Sequence, residues 1–143
     1  MSVTTTLSNH FKKENMEGHV PFVSGEFKMI LMNTTFSFNP DTHAGYSDVS
    51  GEELVLSGEG PDTGYQGPVA LTSGELTEDD TNNRGRATWA DVQFDAIGDD
   101  MDPTGGAVLY SGEVVVAGID FGEDYTVNDG SSLIMQAVAV NLW

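Results

Sequence analysis

Apolar residues follow two periods along this chain. Near the start, Leu7 and Phe11 lie four apart, on one face of a short helix. Thr4, Thr5, Thr6 and Ser8 offer N-caps ahead of it, and Gly18 offers a stop. A helix of one to three turns is not stable alone, so it must dock on its own domain or on a neighbouring subunit. Beyond it the period is that of strands. Glu26 to Asn33 (EFKMILMN) is an apolar run with one lysine, suited to a strand buried on most of both faces. Phe36 and Phe38 alternate with Thr35 and Ser37, predicting a half-buried strand that Pro40 ends. His43 to Glu53 is polar and reads as a turn or one helical turn, and Leu54-Val55-Leu56 is a short apolar segment. Residues 57–68 hold four Gly and two Pro, an exposed loop with Tyr65 as its anchor. Val69 to Leu71 resumes a strand.

Arg84 to Asp95 alternates throughout, with Thr88, Ala90, Val92 and Phe94 on one face and Trp89, Asp91, Gln93 and Asp95 on the other. After a turn-rich stretch from Gly98 to Gly106, two strands are predicted over Gly106 to Ser111 and Glu113 to Phe121, joined at Ser111-Gly112. Asn128-Asp129-Gly130 is a second hairpin signal, and the last strand runs from Ser132 to Trp143. Seven or eight short strands with turns between them predict an all-β fold. The architecture expected is an antiparallel β-sandwich or small, jelly-roll-like barrel with a short N-terminal helix or arm. One domain is expected over 1–143, divided into a helical arm (1–20) and a β-domain (21–143).

Composition narrows the partners. The 143 residues suit one domain, and 23 acids against 5 Lys plus Arg give a formal charge of −18. The first half (1–71) carries 3 cations and 9 acids, the second 2 cations and 14 acids. Phosphate contacts need Lys and Arg, so nucleic acid and anionic membranes are not the expected partners. The acids sit in turns, at Glu78-Asp79-Asp80, at Asp99, Asp100 and Asp102, and at Glu123-Asp124, which reads as a solvated surface. Cys is absent, so disulfides and thiolate zinc sites are excluded. No apolar run approaches the roughly 18 residues of a spanning helix, and Met1 to Lys13 has no apolar core of a signal peptide.

Candidate chemistry is sparse. The three histidines, His10, His19 and His43, do not pair at i,i+4 and form no HExxH, which gives little support for zinc. The acid loops Asp99, Asp100, Asp102 and Asp120, Glu123, Asp124, Asp129 suggest structural calcium but lack the EF-hand spacing, so no cofactor and no metal is assigned. No G-x-S-x-G elbow or phosphate loop occurs, and a hydrolase with paired carboxylates has no particular pair to recommend it. A non-enzymatic chain is expected. Met29, Met32, Met101, Trp89, Tyr65 and Trp143 read as core or contact residues.

Several stretches taken together carry a resemblance: LSNHFKKENMEG (Leu7 to Gly18), FKMILMNTTFSF (Phe27 to Phe38), DTHAGYSDVSGEEL (Asp41 to Leu54), LTEDDTNNRGRATWADVQF (Leu76 to Phe94), GAVLYSG (Gly106 to Gly112) and IDFGEDYTVNDGSSLIMQ (Ile119 to Gln136). Their order resembles a family of small virion proteins of tailed bacteriophages, of the capsid decoration or cement kind. Where relatives often read G-N-G-Y, this chain reads Gly58-Glu59-Gly60-Pro61 and reaches Tyr65 later. The resemblance implies a structural role on the outer capsid surface, bridging capsid subunits, and its alternative is a tail, neck or fibre-associated protein of the same particle that binds glycans through Trp89 or Trp143. The partners expected are the major capsid protein or other virion proteins and further copies of this chain, as a dimer or trimer. The place is the virion, after synthesis in the bacterial cytoplasm. Leu7 and Phe11 are the candidate docking residues of the arm, Lys12 and Lys13 the candidate partners for a neighbour's acids, and Trp143 a candidate interface residue.

Overall fold

In a computed structural model the described residues are 3–22, 26–59 and 63–143. Among these residues ten strands form several antiparallel sheets, accompanied by two short α-helices, in an all-β, sandwich-like fold. The largest sheet has the order β1 (Thr4–Leu7), β8 (Val114–Tyr125), β7 (Thr104–Ser111), β2 (Lys28–Met32), β3 (Val69–Ala70). A three-stranded sheet has the order β10 (Ala139–Leu142), β5 (Arg84–Thr88), β4 (Glu75–Asp79), and β6 (Val92–Asp95) pairs with β9 (Ser132–Met135). The helices are α1 (Asn9–Met16) and α2 (Tyr46–Val49).

The apolar run of β2 has the predicted cause. Met29 and Leu31 face one cluster with Leu109, Ala117, Phe94 and Val140, whereas Ile30 and Met32 face a second with Val108, Tyr110 and Val115. These four of the five β2 residues are fully buried, so from Met29 onward the strand has no wet side and no alternation. The second face is covered by the excursion over residues 33–54. Phe36 and Phe38 sit on it around His43, with ring centroids 5.3 and 5.5 Å from the imidazole, and Tyr46 lies 4.7 Å from Tyr110. The backbone of Phe36 and Phe38 is not a strand, contrary to expectation. Asn33 Oδ1 accepts from the Thr35 amide at 3.1 Å and from Thr35 Oγ1 at 2.9 Å, turning the chain out of the ladder, so the two phenylalanines cover the sheet from outside.

A carboxylate fastens this cover. Glu53 accepts from Tyr46 Oη at 3.0 Å and from Tyr65 Oη at 2.7 Å, and Tyr65 Oη in turn accepts from the Leu31 amide at 3.2 Å. Tyr65 is fully buried, as its role of anchor requires. The preceding loop residues 60–62, which include Gly60-Pro61, lie outside the described residues.

Residues 3–20, the described part of the expected arm, join the main sheet through β1. β1 pairs with β8, with Thr4 opposite Asp120 and Leu7 opposite Ala117. Ser8 caps α1 by accepting from the Phe11 amide at 3.2 Å, and Gly18, at φ +79°, ends the helical turn. Two long predicted strands are each split. Ala87 and Trp89 are buried, Ala90 and Asp91 are exposed, and Val92 and Phe94 are buried again. Burial thus shifts phase where the chain leaves the β10–β5–β4 sheet for β6. Likewise Ala137, at φ +55°, separates β9 from β10. The Asn128-Asp129-Gly130 turn joins β8 to β9, which lie in different sheets, so it closes no hairpin.

Gly118 lies opposite Val108 under the Phe38 ring, and a β-carbon there would collide with that ring. Gly118→Ala should destabilise the fold by about 1–3 kcal/mol. Gly85→Ala, where a β-carbon meets open space, should cost far less in the same urea-unfolding measurement. Alkali gives a second test. Burial, then the hydrogen bond to Glu53, pushes Tyr46 up to about 12. Burial first and Glu53 second also raise Tyr65, and burial raises Tyr110. The fold keeps phenol protons that the unfolded chain releases near ~10. Stability is therefore complete below about pH 10 and falls as pH rises toward about 12. Tyrosinate absorbance and loss of far-UV ellipticity should rise together; free titration of these tyrosines near pH 10 in a folded chain would contradict the clamp.

Candidate functional site

β1 and β10 are edge strands of different sheets. Between them, roofed by α1, runs a groove of about 710 Å³. Leu7, Lys12, Met16, Leu142 and Trp143 line it, with the Pro40 ring at one side. The helix contributes because its positions 9, 12 and 16 recur at the three- and four-residue spacing of one helical face. That face looks outward, while Phe11 points inward to Phe22, 5.8 Å away edge to face.

Two properties of the groove bear on what it could hold. None of its lining residues is acidic, in a chain with 23 acids. It also exposes large apolar groups, Met16 at 87% and Trp143 at 81%. Asp41, beside Pro40, accepts from Asn9 Nδ2 at 2.6 Å. Cations gather here. Lys12 is on the lining, the Arg84 guanidinium lies 5.5 Å from the centre of the Trp143 ring, and Arg86 stands opposite Asn141 in the ladder. Arg84 also donates to Asp79 at 2.7 Å. The Asn82 amide, first, and Arg84 hold the Asp79 carboxyl below its ordinary range. Asn141 Oδ1 is buried here and accepts no hydrogen bond.

Of the five residues picked from the sequence, the structure brings Leu7, Lys12 and Trp143 to this groove. Phe11 is fully buried in the chain's own core, which removes it as a docking residue. Lys13 lies on α1 away from the lining and donates to Glu17 at 2.6 Å. Met16 and Leu142 went unnoticed in the sequence. Met16 is four residues after Lys12, and that spacing was the signal available. Trp89, the other aromatic proposed for sugar stacking, is buried beside Phe27, with centroids 5.0 Å apart.

The acid loops are occupied with their own backbone. Asp100 Oδ1 accepts from the Asp129 amide at 2.7 Å, Asp129 Oδ1 from the Gly98 amide at 3.0 Å, and Asp120 Oδ1 from the Gly122 amide at 2.8 Å. These carboxylates cap turns and tie the 97–102 loop to the 126–131 loop. Among the described residues, metal-ligand spacing occurs at Glu14, Glu17 and His19. Sequence spacing hid this group, because Gly18 reverses the chain and brings His19 Nδ1 to 2.6 Å from Glu14 Oε2. That hydrogen bond is the main cause holding the Glu14 carboxyl below its usual range. Lys13 already offsets one of its two carboxylate charges, standing 3.8 Å from Glu14 and 2.6 Å from Glu17.

Compared with known proteins, the chain matches no family model, no curated protein and no solved structure. The groove therefore stands on its own chemistry: an apolar, weakly cationic cleft between two strand edges, suited to a protein segment with acidic flanks. Leu7 and Leu142 also pack on the core, whereas Met16 and Trp143 stand exposed. Trp143→Ala should change folding stability by less than about 0.5 kcal/mol, whereas Phe11→Ala should cost about 3–5 kcal/mol. Denaturant unfolding of the two variants measures both.

Proposed function

We propose that this chain is a non-enzymatic structural protein of a tailed-bacteriophage virion, decorating and stabilising the outer capsid surface by bridging capsid subunits. The observation that carries this reading is the acid-free apolar groove on a body of net charge −18. Such a surface suits a protein partner and repels packed DNA, so a position outside the shell is favoured over one facing the genome. The sequence resemblance supplies the setting. Its partners are the major capsid protein or other virion proteins. A protein that binds only the assembled shell stabilises it by mass action, about 2.7 kcal/mol per site at a hundredfold excess over Kd. The exposed Trp143 ring supports one second reading, a tail, neck or fibre protein that stacks on sugars.

Gel stoichiometry of purified particles separates the two. The decoration reading expects copies in proportion to capsid subunits and a lower melting temperature for shells lacking the protein. A few copies per particle, with glycan binding that Trp143→Ala abolishes in a folded chain, would replace it with the tail reading.

A further inference from the structure

Among the described residues the three-stranded sheet is unpaired at both edges, and the two edges differ in chemistry. In an antiparallel ladder alternate residues turn their backbone groups outward. The Trp89 amide donates to the Val138 carbonyl at 3.1 Å, and the register continues with Ala87 opposite Val140 and Gly85 opposite Leu142. Ala139 and Asn141 therefore present their N–H and C=O groups to the groove. At the other end Thr77 stands opposite Arg86, which turns the backbone groups of Leu76 and Glu78 outward from β4.

The β4 edge carries Glu75, Glu78 and Asp79, with Asp80 following, and exposes Leu76 at 55%. The β10 edge has Lys12, Met16 and Trp143 around it and no acid on the lining. Pairing β4 with a second β4 would set carboxylates against carboxylates, which charged edge strands prevent. Pairing β4 with β10 sets the carboxylates beside Lys12, on a lining that holds no acidic side chain. We propose that the free edge of β4 in one copy adds to the free edge of β10 in the next, placing Leu76 beside Leu142 and Met16 in the groove. Leu76 and Leu142 point to the same face of the sheet, that of Ala87 and Val140, so the added strand continues the existing pattern. The buried Asn141 Oδ1 gains a backbone donor within reach. Strand addition of this kind combines main-chain hydrogen bonds with a pocket for one side chain. The repulsion between two copies of charge −18 is screened beyond roughly 8 Å at physiological salt, which leaves the contact itself to decide.

The contact is heterologous: edge to opposite edge, not edge to itself. It does not stop at two copies but builds closed rings or open chains. The inference stands on the two sheet edges and the groove beside β10, and does not need the virion reading.

Sedimentation velocity of the full chain over a range of concentrations tests it. The wild-type chain should grow past the dimer. Leu76→Asp and Met16→Glu, both at exposed positions, should each be monomeric and folded by circular dichroism. Mixed, they should give a 1:1 dimer and nothing larger, because the Met16→Glu copy keeps a good β4 and the Leu76→Asp copy a good groove. Asn141→Pro removes an outward amide that the chain's own ladder does not use, and should also yield folded monomers. A wild-type chain that stays monomeric, a dimer that stops at two, or assembly unchanged in Leu76→Asp or in folded Asn141→Pro would overturn the proposal. A monomer found at shell stoichiometry would overturn it and leave the capsid reading intact; a ring-former absent from particles would do the reverse.

Discussion

The centre of the five-stranded sheet, made by β2, β7 and the first half of β8, is buried on both faces, and this constraint organises the rest of the molecule. A sheet buried on both sides needs two covers. The smaller sheets with α1 supply one, and the irregular excursion over 33–54 must supply the other. That excursion has little regular hydrogen bonding of its own, so it depends on side chains. Glu53 does most of this by joining Tyr46, on the outer cover, to Tyr65, in the main core, and through it to the backbone of β2. Losing that carboxylate would leave two phenol groups in search of partners, at about 1–3 kcal/mol each when buried.

The same contacts settle which sheet edges are open. Beyond β7, strand β2 is closed along its length by β3, by the Tyr65 hydroxyl and by the pairing of Met32 with Glu53. Closing an edge in this way removes a template for unwanted pairing. β4 and β10 received no such cover. One carries a row of acids and the other lies beside an apolar groove. Beside that groove Trp143 is exposed, while Phe11, on the helix next to it, is buried in the core.

How far the sequence revealed this depends on the element. The strand at Lys28–Met32 was legible because its lack of alternation has a single explanation, burial on two faces. Ser8 and Gly18 marked α1 through local chemistry. The alternation from Arg84 to Asp95 misled, because period two persists while the chain changes sheets. The slip at Ala90-Asp91 shows only as two exposed residues in succession. Phe36 and Phe38 misled for a related reason: alternate spacing fits a strand and equally fits two rings laid on a sheet by a turning backbone. For the groove, Leu7, Lys12 and Trp143 could be nominated singly from apolar or charged character. Their meeting could not be, since it depends on β1 and β10 being edges of separate sheets. Phe11 and Lys13 looked equivalent to them in sequence and are divided from them by the rotation of one helix.

The sorting of charge also gives the molecule a direction. With Lys12, Arg84 and Arg86 gathered at one seam and the acids spread over the remaining surface, the centres of positive and negative charge do not coincide. The polyanion thus carries a local patch of opposite sign. Approaching a negative surface, such a body is repelled as a whole yet twisted so that its seam leads, and orientation precedes contact. Productive collisions then form a larger share of all encounters, and ionic strength sets how far from the surface that alignment begins.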